Sequence, residues 1–98
     1  MNNTKNFVKA LLCAANGSEE IETVNIVNTL IRGGIHVIIA KVFDKTETGN
    51  DLTIKCIRGI RLLADKTFEE CRDESWDVII LPGGKLGAVF YSFKFRII

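Results

Sequence analysis

The sequence predicts an α/β domain built on an open parallel sheet, and three observations carry that prediction. A strand, a glycine turn, an amphipathic helix and a second strand follow one another between Phe7 and Val42. Four apolar residues, Val78 to Leu81, run without alternation and stop at Pro82, the pattern of a strand buried on both faces. Glycines stand where both strands end, at Gly17 and at Gly83-Gly84, and the carboxyl ends of parallel strands are where such sheets bind ligands.

Phe7 to Ala15 reads as the first strand, broken only by Lys9, with Cys13 a small buried hydrophobe. Gly17 permits a tight turn, and Ser18 is placed to cap the free amides of a helix expected from Glu19 to Arg32. Ile21, Val24, Val27 and Ile31 recur three and four apart, and Ile26 and Leu30 widen that stripe into one broad apolar face. Gly33-Gly34 ends the helix, and Ile35 to Val42 forms the next strand, so a parallel crossover is the expected arrangement. A polar loop follows from Phe43 to Asp51. Leu52 to Ile57 and Ile60 to Ala64 fit a small hairpin turning at Arg58-Gly59. Asp65 to Cys71 is expected to hold a short helix with Phe68 and Cys71 inward, and Trp76 to cover the start of the final strand. After Ala88 the pattern changes. Residues 89–98 hold four of the eight aromatics and alternate apolar with polar or basic from Tyr91, which favours a strand over the crossover helix such a sheet needs next.

At 98 residues the chain is one domain at most, with 47% apolar and 26% charged residues, which excludes disorder and collagen. No stretch approaches a membrane span, and Met1 to Asn6 lead into a strand, so the default expectation is a cytoplasmic protein without membrane association. All twelve acidic residues lie at or before Asp77, and only Lys85, Lys94 and Arg96 follow it, too sparse for a nucleic-acid surface. Three cysteines, Cys13, Cys56 and Cys71, have no paired metal spacing, and the single histidine, His36, has nothing beside it to complete a ligand set.

If the strands ending at Ser18 and Pro82 are neighbours, their loops line one crevice. Glu22, one turn into the helix, is better placed than Glu19 or Glu20 to look into it. A carboxyl group partly desolvated there can share or pass a proton near neutrality, whereas the plain alternative makes all three solvated first-turn acids. Gly83 and Gly84 offer unobstructed amides that can form an oxyanion hole or an anion nest, or else an ordinary turn. Neither a phosphate loop nor a dinucleotide fingerprint is present. No cysteine stands at a strand-to-helix elbow where a nucleophile would be presented.

Gly17 to Val24, Leu30 to Val37 and Asp77 to Ala88 together resemble the amino-terminal half of the DJ-1/PfpI superfamily, over residues 7 to 88. The resemblance implies a flavodoxin-like, Rossmann-like three-layer sandwich, of which residues 1–98 form only part and residues 89–98 an atypical tail. It makes Glu22 the acid that hydrogen-bonds a reactive cysteine, and Gly84, supported by Gly83, the pocket amide beside it. It places Arg32 and Arg58 near a dimer-proximal anion region and makes Cys56 a peripheral, oxidation-sensitive thiol. It implies a homodimeric, cofactor-free glyoxalase or protein deglycase acting on a small α-oxoaldehyde such as methylglyoxal, or on glycated substrate, in the oxidative-stress response. The alternative is a non-enzymatic, redox-responsive or chaperone-like protein. The family's nucleophilic cysteine and later histidine do not follow Ala88 here. The expectation is a chain cut short by a truncated gene model, retained intron or frame change, and inactive by itself.

Overall fold

A computed structural model describes residues 7–83. The elements are β1 (Lys9–Ala14), α1 (Glu20–Arg32), β2 (His36–Lys41), β3 (Thr53–Lys55), β4 (Arg61–Leu63), β5 (Lys66–Thr67), α2 (Phe68–Cys71) and β6 (Val78–Ile80). Four of the strands form one parallel sheet in the order β5-β2-β1-β6, and β3 pairs antiparallel with β4 as a separate hairpin. The expected α/β class, the β1-α1-β2 unit and the hairpin are all present. The aromatic tail and Gly84 lie outside the described residues.

β1 is the axis of the sheet. It pairs with β2 from Lys9–His36 to Ala14–Lys41 and with β6 from Ala10–Val78 to Leu12–Ile80. Every residue from Ala10 to Ala15 is at most 1% exposed. Because side chains alternate across a strand, Leu11, Cys13 and Ala15 meet Phe68 and Cys71 of α2 on one face, while Leu12 and Ala14 meet Ile54 and Ala64 of the hairpin region and Ile26 and Val27 of α1 on the other. The sheet is thus the middle of three layers.

Three local expectations are corrected. The strand expected to be buried on both faces is exposed at its ends, with Val78 at 40% and Leu81 at 41%, because among the described residues β6 has a strand neighbour on one side only. Ser18 does not cap α1. It is fully buried, its Oγ accepts from the Ala15 amide at 3.0 Å, and the cap is Glu19, whose carboxylate accepts from the Glu22 amide. The helix also turns differently from its hydrophobic pattern. Glu20 and Thr23 are buried, whereas Ile21, Val24 and Ile31 are 65%, 47% and 56% exposed.

The short helix expected over Asp65 to Cys71 is α2, with Phe68 and Cys71 buried. Thr67 and Glu70 form a reciprocal capping box, and the residues before it add β5 to the sheet edge. Trp76 packs against the α2-side cluster, donates its indole N–H to the Cys71 carbonyl at 3.0 Å and lies under the Lys9 ammonium.

Lys41, at the end of β2, is only 3% exposed and uses its ammonium completely. It donates to the carbonyls of Asp51 at 2.8 Å and Thr53 at 2.7 Å and pairs with Glu47 at 3.0 Å. Burying an ammonium is costly unless every donor is matched, and here the matches come from Glu47 and Asp51 in the excursion after β2 and from Thr53 at the start of β3. Glu47 also accepts from Asn16, whose own carbonyl oxygen accepts from the Lys55 amide, so the end of β1 joins the same network.

Leu12 is completely buried and Leu63 is 72% exposed. Leu12→Ala is expected to lower the unfolding free energy by about 2–5 kcal/mol, and Leu63→Ala to change it by no more than about 0.5 kcal/mol. Urea titration monitored through Trp76 fluorescence measures both.

Candidate functional site

The carboxyl ends of β1 and β6 meet at one place, because the two strands are parallel neighbours. β1 leads into the turn at Asn16-Gly17, where Gly17 takes φ +93°, a conformation that disfavours any residue with a Cβ. The Gly17 amide donates to the Lys55 carbonyl at 2.8 Å, fixing the turn against the hairpin. β6 leads through the buried Pro82 to Gly83.

Glu22 and Gly83 are in direct contact. The Gly83 amide donates to Glu22 Oε1 at 2.7 Å, in the range of a charge-assisted bond. A Cβ built at Gly83 would lie 3.0 Å from Glu22 Oε2 and 3.4 Å from Oε1, so a side chain there would press the carboxylate back by a few tenths of an ångström. A second bond runs the other way, from the Glu19 amide to the Gly83 carbonyl at 3.0 Å. The helix start and the loop after β6 are therefore joined by two hydrogen bonds. Glu22 is exposed rather than partly desolvated among the described residues.

The neighbouring acids divide the other tasks. Glu19 accepts from the Glu22 amide at 2.8 Å through one oxygen and pairs with Arg58 at 3.1 Å through the other. Glu20 is 2% exposed and its carboxylate accepts from the amides of Arg58 and Ile60 in the hairpin. Burial pushes the Glu20 carboxyl up. Hydrogen bonds from its own amide and those of Arg58 and Ile60, with the Arg58 charge, outweigh this and hold it below the usual carboxylate range. Glu20 was not singled out in the sequence. Its signal is the spacing Glu20, Thr23, Val27, which places a polar pair on the packed face of α1.

Arg58 and Arg32 do not come together within one chain. Arg58 sits beside the first turn of α1 and Arg32 in the last, a separation on the order of 18 Å at 1.5 Å per residue. His36 is exposed and makes an edge contact with the Phe7 ring.

None of the three cysteines is presented as a nucleophile. Cys13 and Cys71 are fully buried and Cys56 is 4% exposed. Burial, then the neighbouring Cys71, pushes the Cys13 thiol up to about 12. Burial followed by the charges of Glu20 and Glu19 pushes up the Cys56 thiol, and burial with Glu74 pushes up that of Cys71. Each change suppresses the thiolate, the reactive form. Among the described residues no group of histidine, cysteine or acidic side chains is arranged to hold a metal ion, and no helix is long and apolar enough to cross a membrane.

Residues 8–94 match the family described as DJ-1/PfpI. The chain is 36% identical over 81 residues to the Parkinson disease protein 7 homolog of Danio rerio, covering 82% of this chain and 40% of that protein. It is 32% identical over 74 residues to the glutathione-independent glyoxalase DJR-1.2 of Caenorhabditis elegans, covering 76% of this chain and 36% of that one. Among solved structures, Drosophila melanogaster DJ-1beta superposes with a TM-score of 0.72 at 30% identity, covering 84% of this chain and 41% of that chain. The chain thus spans about two fifths of these relatives' own length.

Two outcomes follow from the site's electrostatics. Because the folded Glu20 carboxyl lies below its ordinary value of 4.5, its contribution to stability is complete above about pH 4.5 and is lost as pH falls through the lower folded value. Glu20→Gln is therefore expected to narrow its stability gap to the parent chain as pH drops from 7 toward 3, read as urea midpoints. In the folded chain at pH 8, all three cysteines are expected to resist iodoacetamide and to react once unfolded, read by intact mass.

Proposed function

This chain belongs to the DJ-1/PfpI family, and on that premise we propose that it supplies one wall of the active site of a cysteine-dependent glyoxalase or protein deglycase. The substrate class is a small α-oxoaldehyde such as methylglyoxal, or its adducts on protein. The observation that carries this reading is the 2.7 Å bond from the Gly83 amide to the Glu22 carboxylate, which holds a proton-handling group at the mouth where β1 and β6 end.

In this scheme a thiolate adds to the aldehyde carbon, Glu22 carries a proton to or from the adduct, and the Gly84 amide stabilises the developing charge on oxygen, the Gly83 amide being engaged by Glu22. The scheme calls for no organic cofactor or metal. Its thiolate comes from outside these 98 residues, since Cys13, Cys56 and Cys71 are all buried and held as thiols. The complete protein is a homodimer on this reading. The exposed Ile21, Val24 and Ile60, which border a shallow cavity of about 260 Å³ between α1 and the hairpin, support an apolar interface. The same exposed side chains favour the second reading, a chaperone-like protein that holds apolar segments of other chains.

The experiment is a chimera. The chain alone, incubated with methylglyoxal, is expected to form no lactate above the uncatalysed rate. Joined at Ala88 to the carboxyl-terminal half of the Caenorhabditis elegans relative named a glyoxalase, it is expected to form lactate, and Glu22→Gln to reduce that rate by roughly 10²–10⁴-fold. A folded chimera that makes no lactate, or one indifferent to Glu22→Gln, sinks the proposal. Lactate from the chain alone removes the requirement for an external thiolate.

A further inference from the structure

We propose that Glu19 is the positioning residue of this half-site, holding Glu22 and the Gly83 loop in register through its own backbone and side chain. The inference rests on the Glu22–Gly83 reading above and adds to it the residue on which that contact depends.

Glu19 touches both partners of the contact, Gly83 through its backbone amide and Glu22 through its side chain. Its amide donates to the Gly83 carbonyl at 3.0 Å, on the same residue whose amide donates to Glu22. Its Oε1 accepts from the Glu22 amide at 2.8 Å, which fixes the first helical turn and hence the direction in which the Glu22 side chain leaves the backbone. Its carbonyl accepts from both the Thr23 amide at 3.0 Å and the Thr23 hydroxyl at 2.7 Å, locking the residue that follows Glu22.

The choice of residue supports this role. Serine, aspartate and asparagine are the preferred helix caps, and a cap alone gives no reason for the longer glutamate. Here the longer arm lets one oxygen cap while the other reaches Arg58 Nη1 at 3.1 Å, across from the hairpin. Arg58 is exposed, so the pair adds little to stability. It accounts for the longer arm, since one oxygen meets Arg58 and the other accepts from the Glu22 amide.

The test is the amide proton shift of Gly83 in the ¹⁵N-labelled full chain. A short bond to a carboxylate moves that proton downfield, and the difference between the parent chain and Glu22→Gln defines the signature. Glu19→Ala is expected to move Gly83 most of the way to the Glu22→Gln position while the Ile60 and Val42 amides keep theirs. Glu19→Gln, which retains an acceptor for the Glu22 amide, is expected to stay close to the parent. A Glu19→Ala chain with the parent Gly83 shift overturns the positioning role and leaves the Glu22–Gly83 reading intact. Identical Gly83 shifts in the parent and Glu22→Gln overturn that reading itself. If Glu19→Ala does not fold, hydrogen exchange of the Glu22 amide, whose acceptor is the Glu19 carboxylate, decides in the parent. Slowing by about tenfold or more over an unstructured amide upholds the proposal, and an unprotected amide overturns it.

Discussion

A strand with parallel partners on both sides and packed layers on both faces leaves its backbone no freedom, and β1 meets all four conditions. The exclusion of Ala10 to Ala15 from water fixes its register against β2 and β6, because a slip by one residue would exchange the α2-side set with the α1-side set. That register decides where the strand ends relative to Pro82 and Gly83. The meeting of Glu22 with the loop after β6 follows from strand packing well before it is a matter of side-chain chemistry.

The three glutamates at the start of α1 show how one short acidic run is divided by geometry. Successive helical residues point about 100° apart. Glu20 turns inward and anchors the hairpin, Glu22 faces the β6 loop, and Glu19, just outside the helix, ties the two ends of that contact together. The same carboxylate chemistry makes a hairpin anchor, a bond to the β6 loop and a helix cap because each oxygen meets different donors.

Much of this was legible in the residues. The alternation-free runs at Leu11–Ala15 and Val78–Leu81, the turn at Gly17 and the helix stop at Gly33-Gly34 located the elements, and a parallel β1–β6 pair placed Glu22 beside Gly83. What was hidden was hidden by polarity. The packed face of α1 begins with Glu20 and Thr23, so a hydrophobic stripe drawn through Ile21, Val24 and Ile31 is rotated away from the surface that docks. Ser18 carried the usual capping signal, but burial diverted its hydroxyl to the Ala15 amide and passed the task to a glutamate. Lys41 gave no signal at all, since a lysine at a strand end normally reads as solvated.

The Lys41 ammonium has a consequence for how this chain can vary. Its three bonds end on Glu47, Asp51 and Thr53, so the excursion from Val42 to Leu52 is measured out by the reach of one side chain. Surface connections usually accept added or lost residues at little cost. This one accepts them only where both carbonyls still return to the ammonium, so tolerance is confined to the exposed residues between those anchors.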